Sequence, residues 1–197
     1  MNERNGPARL VPTSLAALLA LVMSSCGDKE AVAKTVDNTK AAPSAPVAAT
    51  HPGTEAGAKE LLSAFEKPGA DLKALSQALR PTKEDYAAVF NAGFATALMA
   101  LYDPAWEKGE LVLTPKDGQT ELLLHGVASE EIKAWSKAAS DDLPGGYGKI
   151  KDEFKSGITV YAFKFVKPGE STGMAYDGLV HVNNHWCIFP KPYRAAK

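Results

Sequence analysis

The chain has 197 residues, 45% of them apolar and 23% charged, with a formal net charge of −1. A charge so near zero excludes a nucleic-acid surface built by bulk electrostatics, and the ordinary apolar fraction excludes a disordered or collagen-like chain. Two cysteines can make neither a disulfide scaffold nor a four-thiolate zinc site.

The amino end carries Arg4 and Arg9, followed by an apolar run from Leu10 to Met23 that only Pro12, Thr13 and Ser14 interrupt. That run is too short to cross a hydrocarbon core, which needs about 20 residues. A basic start, a short apolar centre and small residues after it form the pattern of an export signal. Ser24 and Ser25 supply the small residues and lead straight into Cys26. With Met23, Ser24, Ser25 and Cys26 in the places of a lipobox, residues 1–26 resemble a bacterial lipoprotein signal, Met23 standing where leucine is usual. The resemblance implies cleavage before Cys26, a diacylglycerol on its sulfur, an acylated (palmitate-type) new amine, and attachment to the cell envelope. Each buried methylene contributes about 0.8 kcal/mol, so two or three acyl chains hold firmly where one holds marginally. Gly27, in place of an aspartate directly after the cysteine, favours the outer membrane on the same resemblance. The alternative is a soluble secreted protein cut nearby, with Cys26 incidental.

Without residues 1–25 the chain keeps 20 Lys and Arg against 22 Asp and Glu, so no basic patch would hold a membrane and attachment rests on lipid. Residues 26–57 are rich in Ala, Pro, Thr, Lys and Asp, with valines as their only sizeable apolar side chains. Such a segment cannot bury enough surface to fold, and it reads as a tether with a reach of roughly 30 Å. Residues 58–197 remain for one globular domain.

Leu61, Leu62 and Phe65 mark a short helix ended by Pro68 and Gly69, and Asp71 caps a second carrying Leu72, Leu75 and Leu79. Thr82 is an N-cap with Asp85 three residues on. From Tyr86 to Leu101 there is no charge, and the stripe Tyr86, Val89, Phe90, Gly93, Phe94, Ala97, Leu98 and Leu101 predicts one continuous buried helix. Gly93 in its interior costs about 1 kcal/mol relative to alanine, which close packing would offset. Beyond Pro104 the period turns to alternation. Glu110 to Thr114 and Gln119 to His125 predict a hairpin around Pro115 to Gly118, with Leu111, Leu113, Leu122 and Leu124 on one face. Ser129 opens a short helix with Ile132, Trp135 and Ala139 on one side.

The last third is strand. Ile158 to Val166 is apolar on both faces and belongs inside a sheet. Gly173 to Val182 returns, and Asn183 and Asn184, which tolerate a left-handed backbone, turn the chain into His185 to Phe189. Pro190 and Pro192 predict an extended tail. The sum is an α+β fold, with the N-terminal helices packed on one face of a curved antiparallel sheet. The element order resembles the NTF2-like and cystatin-like cone folds, whose members include enzymes, ligand binders and structural modules.

Chemical signatures are missing: there is no G-x-S-x-G, H-E-x-x-H, C-x-x-C or Walker sequence, and Gly145 to Lys149 lacks the spacing that wraps a phosphate. No cofactor is implied. The densest polar and aromatic collection is the final hairpin. With Asn183 and Asn184 as the turn, His181 pairs with Trp186 and Val182 with His185, so Asp177, Leu179, His181, Trp186 and Ile188 share one face. His185 and Cys187 fall on the other, which separates the two histidines and disfavours a shared metal. A turn shifted by one residue would regroup His181, His185 and Cys187 as a metal set. Cys187 otherwise reads as a buried apolar residue. Tyr161, Phe163, Lys164, Tyr176, Asp177, His181 and Trp186 can line a ligand pocket, with Lys164 the single cation for an acidic ligand; aromatics on alternating strands are more often plain core, and Lys164 also reads as snorkelling at the sheet margin. The expectation is a lipid-anchored, non-catalytic binding module for an envelope protein or small ligand. The alternative is a small-pocket hydrolase or isomerase using Asp177 or His181 as acid or base.

Overall fold

A computed structural model describes residues 51–196; the expected signal, Cys26 and most of the tether lie outside the described residues. No described helix is long and apolar enough to cross a membrane.

Helix α1 (Glu55–Ser63) is capped by the Thr54 hydroxyl, which accepts from the Gly57 N–H, and runs on into a 3-10 turn (Ala64–Glu66). It thus starts inside the stretch expected to belong to the tether. The reason is local burial: Ala58, Leu61 and Leu62 sink into the core, and the Trp186 indole N–H donates to the His51 carbonyl at 3.2 Å. Helix α2 (Leu72–Gln77) is capped by Asp71, and α3 (Lys83–Val89) by the reciprocal Thr82–Asp85 capping box.

The continuous helix expected over 86–101 breaks. Phe90 is extended, and α4 (Ala92–Lys108) starts after it and passes through Pro104 to a left-handed Gly109. The break is tertiary in origin: Phe90 bridges to Phe154, the Asn91 N–H donates to Glu153 O, and the Lys155 N–H donates to Val89 O, both at 2.8 Å. Gly93 lies in the first turn of α4 with nothing within 4 Å of where a Cβ would stand, so close packing does not account for it.

The hairpin expected over 110–125 does not form. The segment before Pro115 is held elsewhere, by the Ser76 hydroxyl on the Leu113 N–H and by the Tyr176 phenol on both backbone groups of Thr114. Strand β1 (Glu121–Ala128) instead pairs with β2 (Thr159–Val166), which pairs with β3 (Gly173–Val182), which pairs with β4 (His185–Ile188). All pairs are antiparallel, in the order β1-β2-β3-β4, and the curved sheet stays open, giving the expected α+β fold. Between β1 and β2 stand α5 (Ser129–Ala134), α6 (Lys137–Asp142) and 3-10 turns over Gly145–Lys149 and Lys151–Glu153. A further 3-10 turn, Pro192–Ala195, replaces the expected extended tail.

The turn at Asn183 and Asn184 has φ of 49° and 62°, and β3 and β4 pair as expected, Val182 with His185 and His181 with Trp186. The register with β2 departs from expectation. Tyr161 pairs with Leu179 but Ala162 pairs with Asp177, so Gly178 is an extra residue, a bulge at φ +89°. One residue of slip reverses the pleat. Asp177 therefore leaves the face of Leu179 and His181 and joins that of Val180, Val182, His185 and Cys187.

Candidate functional site

The bulge decides which side chains meet. On one face of the sheet Phe165 packs on Phe65 of the turn after α1, Tyr161 sets its ring edge-on to Trp186, and His181 lies against the same indole at 5.1 Å between centroids. Gly53 closes over the His181 ring: a Cβ there would stand 2.4 Å from Nδ1. Burial, then the neighbouring His185, holds the His181 imidazole below its usual value. Tyr161, His181 and Trp186 thus belong to packing on this face, and His181 is separated from Asp177 by the thickness of the sheet.

The opposite face opens into a cleft of about 320 Å³ beside α6, bordered by Phe163, Lys164, Tyr176 and Asp177 together with His125, Asp141 and Asp142. Phe163 and Tyr176 pair across β2 and β3 and stack at 5.4 Å, so by the alternation of the pleat their rings turn away and their backbones line the floor. The side-chain chemistry comes from the other residues. Asp177 is buried, and its Oδ1 accepts from the Tyr147 hydroxyl at 2.9 Å and from the Lys191 N–H at 3.1 Å. Its Oδ2 has no hydrogen-bond partner among the described residues. Burial pushes the carboxyl up from its ordinary value, against the two bonds and the charges of Lys191 and Arg194, which pull it down. Burial also drives the Tyr147 hydroxyl well above its usual range, so it stays a donor.

Lys164 is exposed and stands diagonally across from Asp177, since Ala162 faces Asp177 while Lys164 faces Ala175. That relation places the two Cβ atoms about 7 Å apart. At the rim His125 Nδ1 lies 3.6 Å from Asp142 Oδ1. His125, Asp141 and Asp142 were not candidates in the sequence. His125 was visible only as the end of an expected hairpin strand, and α6 is brought over the sheet by the left-handed Trp135, φ 48°, for which no local signal exists. A larger hollow of about 520 Å³ between α4 and the C-terminal turn offers only Lys149 and Glu153 as charged groups and contains none of the expected site residues.

Beyond the cleft, α3 and the final hairpin are joined by one carboxylate. Asp85 is wholly buried; its Oδ2 accepts from the Thr82 N–H and hydroxyl at 2.7 and 2.8 Å, and its Oδ1 from the Asn183 amide at 2.8 Å. His185 Nε2 stands 3.0 Å from Oδ2, and Cys187 completes the group. Burial, reinforced by Asp85, raises the Cys187 thiol well above its usual value, so as packed it is not a nucleophile. The metal set His181, His185 and Cys187 is not assembled, because the turn keeps its expected register and leaves His181 on the far face. No protein family, curated protein or solved structure matches this chain.

Proposed function

We propose that this protein is a lipid-anchored lipoprotein of the bacterial envelope, held through Cys26, whose folded domain binds a small polar ligand in the cleft beside α6. One observation carries the binding reading: the Asp177 carboxyl is fixed through Oδ1 by Tyr147 and Lys191 and keeps Oδ2 for a ligand, with Lys164 bordering the same cleft. A buried carboxyl that its own chain satisfies on one oxygen only fits a positioned ligand contact. Cone folds of the NTF2-like and cystatin-like kind, which the element order resembles, admit ligands between sheet and helices. The lipobox residues Met23 to Cys26 support the anchor, and an outer-membrane address follows from Gly27 on the same ground.

The test has two arms. Cys26→Ala abolishes incorporation of a clickable fatty acid, and retained labelling sinks the anchor. Native mass spectrometry of protein isolated from envelope shows a small molecule retained by the wild-type chain and lost from Asp177→Asn; equal retention, or none in either, sinks the cleft.

A second reading, an acid–base enzyme, is favoured by the placement of His125 and Asp142 around the same opening as Asp177. It uses Asp177 and not His181, which faces the other side. Turnover of the retained molecule by the wild-type chain, absent in Asp177→Asn, selects it over pure binding.

A further inference from the structure

Asp85, His185 and Cys187 bring a carboxylate, an imidazole and a thiol together where α3 meets the final hairpin. His185 Nδ1 lies 3.2 Å from the Asn183 carbonyl and Nε2 lies 3.0 Å from Asp85 Oδ2. With Nδ1–H given to the carbonyl, Nε2 presents a lone pair on the side of Oδ2. The Cys187 thiol beside them is wholly buried and has no hydrogen-bond partner among the described residues. One donor atom from each of the three residues lies within 4.8 Å of the others.

We propose that Asp85, His185 and Cys187 form a site for a divalent cation of the zinc class. A cation between these atoms takes the Nε2 lone pair and gives the thiol sulfur a partner. The donor set is the mixture of thiolate, imidazole and carboxylate that zinc accepts. Tetrahedral zinc, with bonds of about 2.0–2.3 Å, separates its ligands by about 3.3–3.6 Å; Nε2 and Oδ2 stand 3.0 Å apart and all three donor atoms lie within 4.8 Å of one another. The Nδ1–H to carbonyl bond is the outer contact that orients a ligating imidazole and fixes its tautomer, and the Thr82 donors and the Asn183 amide hold the carboxylate in the same way. Binding releases to solvent the proton of the Cys187 sulfur and any proton on Nε2, the imidazole and thiolate then giving their lone pairs to the cation, while Oδ2 meets it beside the two bonds it accepts from Thr82. Partly exposed His185 leaves the one side open to water, where a fourth ligand enters. The anchor and the cleft play no part in this site, so it stands or falls apart from them.

The test uses the chain with Cys26→Ala, so that no second thiol competes, stripped with chelator and titrated with Co²⁺ and then Zn²⁺. The expected result is one equivalent bound, a thiolate-to-cobalt charge-transfer band in the near ultraviolet, and displacement of cobalt by zinc. Cys187→Ser removes the band, and His185→Ala weakens zinc by more than the roughly tenfold at which the loss of an outer contact begins to tell. Because both side chains are packed and a variant can fail by not folding, the zinc K-edge fine structure of the Cys26→Ala chain is read as well. It shows one sulfur at about 2.3 Å beside nitrogen and oxygen scatterers. No uptake at micromolar zinc, uptake without sulfur in the shell, or a band surviving Cys187→Ser overturns the proposal.

Discussion

Asp85 and His185 stand 100 residues apart in the chain and meet at 3.0 Å. Through this one carboxylate the first turn of α3 and the turn between β3 and β4 hold each other's geometry. The carboxylate that closes the capping box is also the acceptor for Asn183 and the neighbour of His185.

Asp85→Ala, measured in chelator, removes the capping box and leaves the Asn183 amide and the Thr82 donors without their acceptor. A lost cap costs about 1 kcal/mol and a stranded buried donor about 1–3 kcal/mol. Urea denaturation is expected to show a loss of roughly 2–4 kcal/mol. A loss under about 0.5 kcal/mol, the scale of an ordinary surface substitution, contradicts the keystone role.

Gly178→Ala strikes the bulge. At φ +89° an added Cβ would stand 2.0 Å from the Phe189 carbonyl oxygen, so neither the backbone conformation nor the space accepts it. A cost of roughly 2 kcal/mol or more is expected, with the strand forced toward a regular register that would return Asp177 to the other face. A thermal midpoint equal to wild type would mean that the bulge is dispensable.

Part of this was legible in the sequence and part was not. The final hairpin could be read because Asn183 and Asn184 announce the turn locally, and with it the pairing of His181 to Trp186. The bulge could not. Gly178 sits among β-formers and becomes an extra residue only when β2 lies alongside, so the face of Asp177 was misassigned by a contact some fifteen residues away in sequence. Lys164 and Asp177 stand out in the sequence as polar residues among apolar strand neighbours, but His125 and Asp142, which border the same cleft, come from elements that the sequence places elsewhere. Asp85 looked like a helix cap and nothing more, because its second set of partners arrives a hundred residues later.

The protonation of Asp177 gives a pH dependence with a definite sign. In the unfolded chain its carboxyl titrates near its ordinary 3.8, while burial raises it in the fold, so the native state keeps a proton that the unfolded state has lost. This stabilising contribution is complete below pH 3.8 and is lost as pH rises through the folded value. Asp177→Asn keeps an oxygen for Tyr147 and Lys191 and has no proton to lose. Its stability relative to wild type is expected to improve between the two values and then level off, in urea melts across a pH series. Parallel curves would show that the carboxyl is not strained by burial.

Tyr147→Phe removes the stronger of the two bonds to Asp177 Oδ1 and leaves the buried ring in place. A loss of about 1–2 kcal/mol is expected, since a buried acceptor is left with the Lys191 N–H alone. The carboxyl should also titrate higher than in wild type, read from its carbon chemical shift; a shift downward would refute the direction of the Tyr147 effect.

The break between α3 and α4 bears on the order of events in folding. Asn91 is separated by 61 residues from Asp152, whose carbonyl accepts its amide, and Val89 by a similar span from Lys155. The two helices therefore take their separate directions from partners some sixty residues further along, and the joint between them is complete only when that long loop has closed.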